Sequence, residues 1–260
     1  MSREKRSPAV RHSAQSLEKA LDLLEYLGQS GAPRGARYIA EETDIPKSTV
    51  ERILEVLVRR GYAKKEDGKY KLWTGVVPLA ERFLSSDALF RNAEDIMKEL
   101  VKTSMETVSL YIRQGFKRIL VYRVESPHPL RFFTKVGVRL PLYLGASGMV
   151  LCTGVDEEEL NSYFTEIAPV TLADGRLLTK EELIQRVRET AQKGFAIGVN
   201  ERYEGLTSLA APVWTDKNGM VAAMNIVGPS SRMDKRDLDT MAIELQYAAK
   251  ELANRVDFGR

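Results

Sequence analysis

The stretch from Ala36 to Leu72 constrains the fold of this chain most, because it combines two short helical patterns, a tight turn and a hairpin. The second helix is predicted to begin at Pro46, since proline lacks the N–H that would be unpaired there and its φ already suits a helix. Gly61 is expected to end this helix, and Asp67-Gly68 favours a tight turn between two short strands. This order of elements is typical of a winged helix-turn-helix.

The helix predicted from Pro46 to Arg60 separates apolar from polar side chains, and its first turn is rich in cations and hydroxyls. Such groups meet phosphates and base edges when a helix enters the major groove, and lysines on a hairpin can reach the backbone. Any one of these charges is equally compatible with a solvated surface. The ordered combination of elements therefore favours DNA binding. The predicted DNA-binding residues are Lys47, Ser48, Thr49, Arg52, Lys64, Lys65 and Lys69.

The positive charge is concentrated in the N-terminal part of the chain. Residues 1–75 carry 15 Lys and Arg against 11 Asp and Glu, whereas residues 76–260 carry 24 against 25. Residues 1–12 are basic and poor in apolar side chains, which suits a disordered arm that settles along phosphates. A frayed terminus without a function is an equal alternative for this segment.

Composition excludes several other classes of protein. A length of 260 residues with 43% hydrophobic content accommodates two domains. The sequence lacks an apolar run near the ~20 residues of a membrane span, lacks a secretory signal and has a single cysteine, so a cytoplasmic protein is expected. His12 and His128 lack neighbours suited to metal binding or catalysis, and Cys152 suits a buried apolar position. We expect no enzyme activity, metal or cofactor.

Beyond a proline-led linker helix over residues 75–86, strand and helix patterns alternate. Asp87 is expected to cap the next helix, and Thr179 with Glu182 has the spacing of a capping box. The combination predicts an α+β fold, with helices packed on an antiparallel sheet. The predicted strands are Thr107–Gln114, Arg118–Glu125, Leu130–Val136, Phe195–Val199, Leu206–Trp214 and Met220–Val227. The first predicted helix after Asp87 ends near Ser104. The later predicted helices are Gly145–Gly154, Asp156–Phe164, Thr179–Gln192 and about Asp234–Arg255.

Polar residues within apolar strand faces are candidates for a ligand site. Asn225 and Ser208 each share a predicted strand face with apolar side chains, and a buried amide needs hydrogen-bond partners. The segment Gly145–Gly148 is expected to open a helix whose free N–H groups attract an anion. The alternatives are structural hydrogen bonds for Asn225 and Ser208, and close helix packing for the glycines.

Several short segments, specific only in combination, carry a resemblance that covers nearly the whole chain. They are Ser16–Leu27, Pro46–Val50 with Arg52, Arg60–Tyr62, Tyr70–Leu72, Gly137–Leu142, Gly145–Gly148, Lys193–Ala196, Leu209–Val213 and Gly228–Pro229. With these segments the chain resembles the IclR family of bacterial transcriptional regulators.

The resemblance implies a homodimer or homotetramer that binds operator DNA and regulates a catabolic operon, more often as a repressor, in response to a small metabolite. It also implies a GAF-like C-terminal effector domain. The implied domains are residues 1–12 (disordered basic arm), 13–74 (winged helix-turn-helix), 75–86 (linker helix) and 87–260 (effector-binding domain). The effector-binding residues implied by their positions are Ala146, Ser147, Leu206, Ser208 and Asn225, with Phe132 as an apolar wall.

The chain departs from the family pattern at three positions near the implied effector site. Members commonly have an acidic or polar residue where this chain has Gly198, a lysine where it has Met149, and often a serine where it has Val227. These departures favour an aromatic or otherwise partly apolar acid as the effector. Two alternatives stay open: an enzyme that converts its ligand, and a DNA-binding protein whose C-terminal domain only dimerises.

Overall fold

The computed structural model describes residues 8–234 and 236–258, and the chain divides into two compact units between Leu84 and Ser85. In the N-terminal unit, apolar side chains at helical spacing bury Leu23, Ile39 and Leu54 completely in one small core. The elements of this unit are α1 (Pro8–Gln29), β1 (Arg34–Gly35), α2 (Ala36–Thr43), α3 (Lys47–Arg59), β2 (Ala63–Glu66), β3 (Lys69–Leu72) and α4 (Val77–Ser86). The last helix, α4, continues across the boundary between the units.

The turn between α2 and α3 follows from its residues. Asp44 ends α2 in the left-handed region with φ 52°, and Pro46 precedes α3 with the φ of −52° that its ring imposes. Between β2 and β3, Asp67 and Gly68 have φ values of 48° and 73°, as a tight hairpin turn requires. β3 pairs with both β1 and β2 in an antiparallel sheet. The expected winged helix-turn-helix is therefore confirmed.

The expected disordered arm lies mainly outside the described residues, since residues 1–7 are not among them. The expectation is wrong for residues 8–12, which form the beginning of α1. Pro8 occupies the first position of that helix, where its fixed φ and missing N–H are favourable.

The C-terminal unit is built on a six-stranded antiparallel sheet with the strand order β6-β5-β4-β11-β10-β9. Its helices are α5 (Ala88–Ser104), α6 (Ala146–Cys152), α7 (Glu157–Ile167), α8 (Lys180–Lys193), α9 (Ser230–Met233) and α10 (Leu238–Phe258). Its strands are β4 (Thr107–Gln114), β5 (Lys117–Val124), β6 (Arg139–Pro141), β7 (Val170–Thr171), β8 (Leu177–Leu178), β9 (Ala196–Val199), β10 (Leu206–Thr215) and β11 (Gly219–Pro229).

The two faces of the sheet bury different helices. On one face, Leu209 of β10 and Met224 of β11 pack in a core with α5 and α10. On the other face, Ala210 and Ala223 pack in a core with α6, α7 and α8. Because successive side chains of a strand point to opposite faces, Ser208 and Asn225 lie on the α6 side. This alternation determines which polar groups share one site.

The strand predicted over Leu130–Val136 is wrong, because this segment has no regular secondary structure. Phe133 is 59% exposed, and the carbonyl of Thr134 accepts a hydrogen bond from the side chain of Arg123 instead of a neighbouring strand. The edge of β5 pairs with the short β6. A strand needs a neighbouring strand as its backbone partner, and within the described residues Leu130–Val136 pairs with no strand.

The last predicted helix, about Asp234–Arg255, corresponds to α10 (Leu238–Phe258), and the short α9 ends at Met233, before the predicted range. Asp237 accepts hydrogen bonds from the backbone N–H groups of Asp239 and Thr240 at 3.1 and 3.3 Å, so a new helix begins beside it. The capping of α5 by Asp87 and the capping box of α8 are both confirmed.

Candidate nucleic-acid interface and ligand site

The helix α3 presents a polar face opposite its buried stripe. Val50 and Leu54 are fully buried in the core of the N-terminal unit, whereas Lys47, Ser48 and Arg52 are exposed. Thr49 is half-buried. This arrangement follows from the helical spacing of the apolar residues, and it leaves the first turn of α3 accessible to a ligand.

Lys47 forms an ion pair with Glu51, in which the Nζ and Oε1 atoms are 3.5 Å apart. Both side chains are exposed, 60% and 46% respectively, so water and salt weaken the attraction between them. Lys47 is therefore available to exchange this carboxylate for a phosphate.

The lysines of the β2–β3 hairpin differ in their surroundings. Lys64 and Lys71 both pair with Glu66, at 2.6 and 2.7 Å, and both lie over the ring of Trp73, at 4.3 and 5.4 Å. Hydrogen bonds from Lys64 first and Lys71 second lower the pKa of Glu66 to about 2. We call Lys64, Glu66, Lys71 and Trp73 the wing cluster.

Of the predicted wing cations, only Lys64 belongs to the wing cluster. Lys65 contacts Tyr70, whose ring centroid lies 5.1 Å from Nζ, and a hydrogen bond with Tyr70 raises the pKa of Lys65. Lys69 is exposed. The sequence reasoning did not assign a role to Trp73, although an exposed aromatic residue next to a basic strand was a usable signal.

In the C-terminal unit, the fold satisfies part of the hydrogen-bonding capacity of the predicted effector residues. Asn225 is 4% exposed, and its Nδ2 donates to the carbonyl of Leu209 at 2.8 Å. Ser208 donates to the carbonyl of Gly198 at 3.4 Å, which is long for a hydroxyl donor. The alternative to a ligand contact was a structural hydrogen bond. One donor of Asn225 makes such a bond, and Ser208 makes only a weak one.

The beginning of α6 lies against β9. A Cβ atom added to Gly198 would be 3.1 Å from the backbone nitrogen of Ala146, so glycine permits this close approach. Ala146 and Ser147 are buried, while Leu206 on the neighbouring strand is half-buried. The structure thus brings Ala146 and Ser147 to the side of the sheet that carries Ser208 and Asn225.

Two of the N–H groups at Gly145–Gly148 that were expected to attract an anion are already paired, Gly145 with Glu201 and Gly148 with the carbonyl of Gly145. The buried carboxylate of Glu201 accepts from the N–H of Gly145 at 2.8 Å, and its other oxygen pairs with Arg186. Glu201 lies three residues beyond Gly198, so the chain itself supplies an acid here. This long-range contact was not visible in the sequence pattern.

Phe132 belongs to a group of aromatic and cationic side chains in the irregular segments of the C-terminal unit. Its ring centroid lies 5.7 Å from that of Tyr203, and the guanidinium of Arg202 lies over both rings at 5.7 and 5.0 Å. Phe132 is half-buried, as an apolar wall of a site would be.

Arg118 is a further residue that the sequence reasoning missed. It is 3% exposed on β5, and one terminal nitrogen donates to the carbonyl of Pro141. Burial lowers the pKa of the Arg118 guanidinium to about 10, and the positive charge of Arg202 acts in the same direction. The sequence could have indicated this burial, because Arg118 lies two residues before Leu120, which packs in the core beside α6. Side chains two residues apart in a strand point to the same face.

Other features of the described residues do not involve the predicted site. A groove of about 780 Å³ lies between α5 and α10, and a second of about 660 Å³ lies along α8; none of the predicted residues lines either groove. No three His, Cys, Asp or Glu side chains in the described ranges are placed to hold a metal ion. Within the same ranges, no helix is long and apolar enough to cross a membrane.

These observations define a winged helix-turn-helix protein with a second, antiparallel-sheet domain, and the first of these domains is typical of DNA-binding transcriptional regulators. Residues 16–67 match the IclR helix-turn-helix domain, and residues 81–254 match the C-terminal domain of the bacterial transcriptional regulator IclR. The chain belongs to the IclR family, whose members are DNA-binding transcriptional regulators and not enzymes.

Named relatives agree with this assignment. The transcriptional repressor AllR of Escherichia coli K12 is 30% identical over 233 residues, which cover 87% of this chain and 84% of AllR. The fold is that of an IclR regulator from Alicyclobacillus acidocaldarius, with a TM-score of 0.82, 21% identity, and coverage of 92% of this chain and 98% of that one. An IclR homologue from Microbacterium hydrocarbonoxydans, solved with 4-hydroxybenzoate, has a TM-score of 0.80, 19% identity, and coverage of 93% and 98%.

Proposed function

We propose that this regulator is a cytoplasmic repressor of a catabolic operon, released from its operator by a small organic acid or aromatic metabolite. The observation that carries the proposal is the exposed polar face of α3, opposite a fully buried apolar stripe, in a member of this family. Lys47, Ser48, Thr49 and Arg52 contact the major groove. Lys64, Lys65 and Lys69 contact the sugar-phosphate backbone.

The regulator acts as a homodimer or homotetramer. Two copies of α3 then meet half-sites spaced by about one helical turn of DNA or a multiple of it, so the operator is pseudo-palindromic. Residues 13–74 serve as the DNA-binding domain, residues 75–86 as the linker and residues 87–260 as the effector-binding domain. The effector acts by binding one arrangement of the two α3 helices better than another.

The effector site includes Phe132, Ala146, Ser147, Leu206, Ser208 and Asn225. Support comes from the shared side of the sheet on which Asn225 and Ser208 face α6, and from the weak hydrogen bond of Ser208. Gly198 and Val227 add no polar side chain, which suits an effector with an apolar or aromatic body. The 4-hydroxybenzoate bound by one structural neighbour makes benzoates reasonable first compounds to screen.

The experiment is a salt titration of binding to the intergenic DNA upstream of the protein's own gene. We expect saturable binding that weakens with salt. Lys47→Ala/Arg52→Ala should bind much more weakly, with a log–log salt slope shallower by up to about 2 if both residues contact phosphates. The matched control is Lys98→Ala/Arg188→Ala, which also removes two exposed cations, but from the C-terminal unit. An equal loss in both double variants would refute the assignment of α3.

The same DNA complex tests control by a metabolite. Titration with organic and aromatic acids is expected to release the DNA at a concentration that depends on the acid. If no metabolite alters either the melting temperature or the operator affinity, the C-terminal domain serves only for dimerisation. Loss of a bound metabolite during steady-state incubation would instead support an enzyme.

A further inference from the structure

Arg118 is a buried cation with unsatisfied hydrogen-bonding capacity. Its guanidinium lies on the α6 side of β5, where its Nε has no hydrogen-bond partner among the described residues. None of the carboxylates that the structure describes lies within ion-pair distance of it. A buried cation in this state lacks the counter-charge that normally compensates for its lost hydration.

The surroundings of Arg118 fix its position. A Cβ atom added to Gly148 would lie 2.6 Å from Nη1 of Arg118 and 2.0 Å from the carbonyl oxygen of Leu142. The guanidinium therefore occupies space that any larger residue at position 148 would remove. On another side, its central carbon lies 5.5 Å from the centroid of the Tyr111 ring. Together with the hydrogen bond from Arg118 to the carbonyl of Pro141, these neighbours limit the positions that the guanidinium can take, and such preorganisation favours ligand binding.

The neighbouring acid does not neutralise Arg118. Glu201 acts electrostatically on Arg118, but its two oxygens already bind Arg186 and the N–H of Gly145. The positive charge beside α6 is therefore only partly balanced. A bound anion would supply the missing charge and a partner for Nε.

Arg202 places a second cation in the same region. Arg202 directly follows Glu201, whose carboxylate accepts from the N–H of Gly145, and a Cβ atom added to Gly145 would lie 3.5 Å from Nη2 of Arg118. The charge of Arg202 also acts on Arg118 and Tyr111. Its guanidinium is half-buried and stacks over the rings of Phe132 and Tyr203, an arrangement that leaves the N–H groups at its edge free for an acceptor. Two cations and aromatic walls together suit a flat ligand with an acidic group.

Thr134 adds a neutral polar group to this region. Its hydroxyl oxygen is buried without a hydrogen-bond partner in the part of the chain that the structure describes, and its carbonyl accepts from Arg123. Arg123 also acts on Tyr111 and lies over the ring of Phe133 at 4.2 Å. A second buried polar atom without a hydrogen-bond partner among the described residues thus lies beside Arg123, two positions along the chain from Phe132.

We infer that Arg118 and Arg202 bind the carboxylate of an aromatic acid beside Tyr111, with the ring of the ligand against Phe132. This inference rests on the proposed effector-binding function and adds the residues that recognise the acidic group. It places that group at the arginines, beside the beginning of α6, where the N–H of Gly145 is already paired with Glu201.

The test compares a carboxylate with its neutral amide. Calorimetry on the full chain measures binding of benzoate, 4-hydroxybenzoate and benzamide to the wild type, Arg118→Gln and Arg202→Gln. We expect the wild type to prefer benzoate over benzamide by about tenfold to a hundredfold, because charge-assisted hydrogen bonds are roughly twice as strong as neutral ones. Each variant is expected to lose most of this preference. A merely structural role would weaken both ligands equally.

Arg202→Gln keeps the test decisive if Arg118→Gln does not fold, because Arg202 is only half-buried. Arg188→Gln, an exposed arginine of α8, is the control and should retain the preference. Unchanged preference in the Arg202 variant would overturn the inference, while effector binding itself would stand. Failure of both acids to bind the wild type at millimolar concentration would also overturn it. The proposed function would then be judged separately, by release of operator DNA with neutral metabolites.

Discussion

Replacement of Arg232 by Met should destabilise the C-terminal unit by breaking a buried ion pair. Nε and Nη2 of Arg232 lie 2.6 and 2.8 Å from the two oxygens of Glu106, which is 1% exposed. Removing one partner of such a pair leaves an uncompensated charge and costs about 3–5 kcal/mol. Since Arg232 itself is 27% exposed, we expect a value near the lower end, about 3 kcal/mol.

The pair also supports the irregular segment that carries Phe132. Nη2 of Arg232 donates to the carbonyl of Leu130 at 3.0 Å, so the substitution removes this contact as well. Destabilisation should therefore be accompanied by weaker binding of any ligand that packs against Phe132. The guanidinium joins α9, the beginning of β4 and the Leu130 segment at one point, which explains its effect on both stability and binding.

The assay uses the two tryptophans of the chain. In a Trp73→Phe background, Trp214 is the only tryptophan, and it lies in the C-terminal unit. With a urea dependence of about 2 kcal/mol per molar, a loss of about 3 kcal/mol lowers the unfolding midpoint of that unit by about 1.5 M. Unfolding monitored by Trp214 fluorescence measures this shift without interference from the other unit.

A double variant separates the buried charge from other effects of the substitution. Adding Glu106→Gln to Arg232→Met removes the unpaired carboxylate, so the double variant should be more stable than Arg232→Met alone. A loss below about 1 kcal/mol in the single variant, or no recovery in the double variant, would refute the reasoning.

Three further predictions concern the wing cluster and α6. Glu66→Gln removes the carboxylate that Lys64 and Lys71 share, so Lys71 becomes available to a phosphate beside the proposed contact of Lys64. Operator affinity should rise and the log–log salt slope should steepen by up to about 1, whereas the neighbouring Asp67→Asn serves as the control that removes one acid without freeing a lysine. Because the pKa of Glu66 lies at about 2 and not at its usual 4.5, an NMR titration should show its ion pairs intact above pH 4.5 and lost only as the pH falls towards 2. Gly148→Ala should lower the melting temperature by several degrees, since its Cβ would lie 2.0 Å from the carbonyl oxygen of Leu142; an unchanged melting temperature would contradict this packing.

Elements set by neighbouring residues could be predicted from the sequence. The cap at Asp87 and the capping box at Thr179 depend on contacts within three residues, and both are present. The turn that ends α3 at Gly61 is equally local. Leu130–Val136 has the composition of a strand, but a strand forms only where a partner edge is available, and β6 already pairs with part of that edge. Propensity alone does not contain this information.

The two parts of the candidate site differ in the same way. Lys47, Ser48 and Arg52 follow one another along a single helix, so their shared exposure could be inferred from helical spacing. The C-terminal site instead joins distant positions, and its charge balance depends on which groups pair. Glu201 pairs with Arg186 and the N–H of Gly145, and this long-range choice leaves Arg118 without a carboxylate among the described residues. Counting acids and bases in the sequence cannot reveal such an imbalance, because the total charge is the same whichever arginine the acid binds.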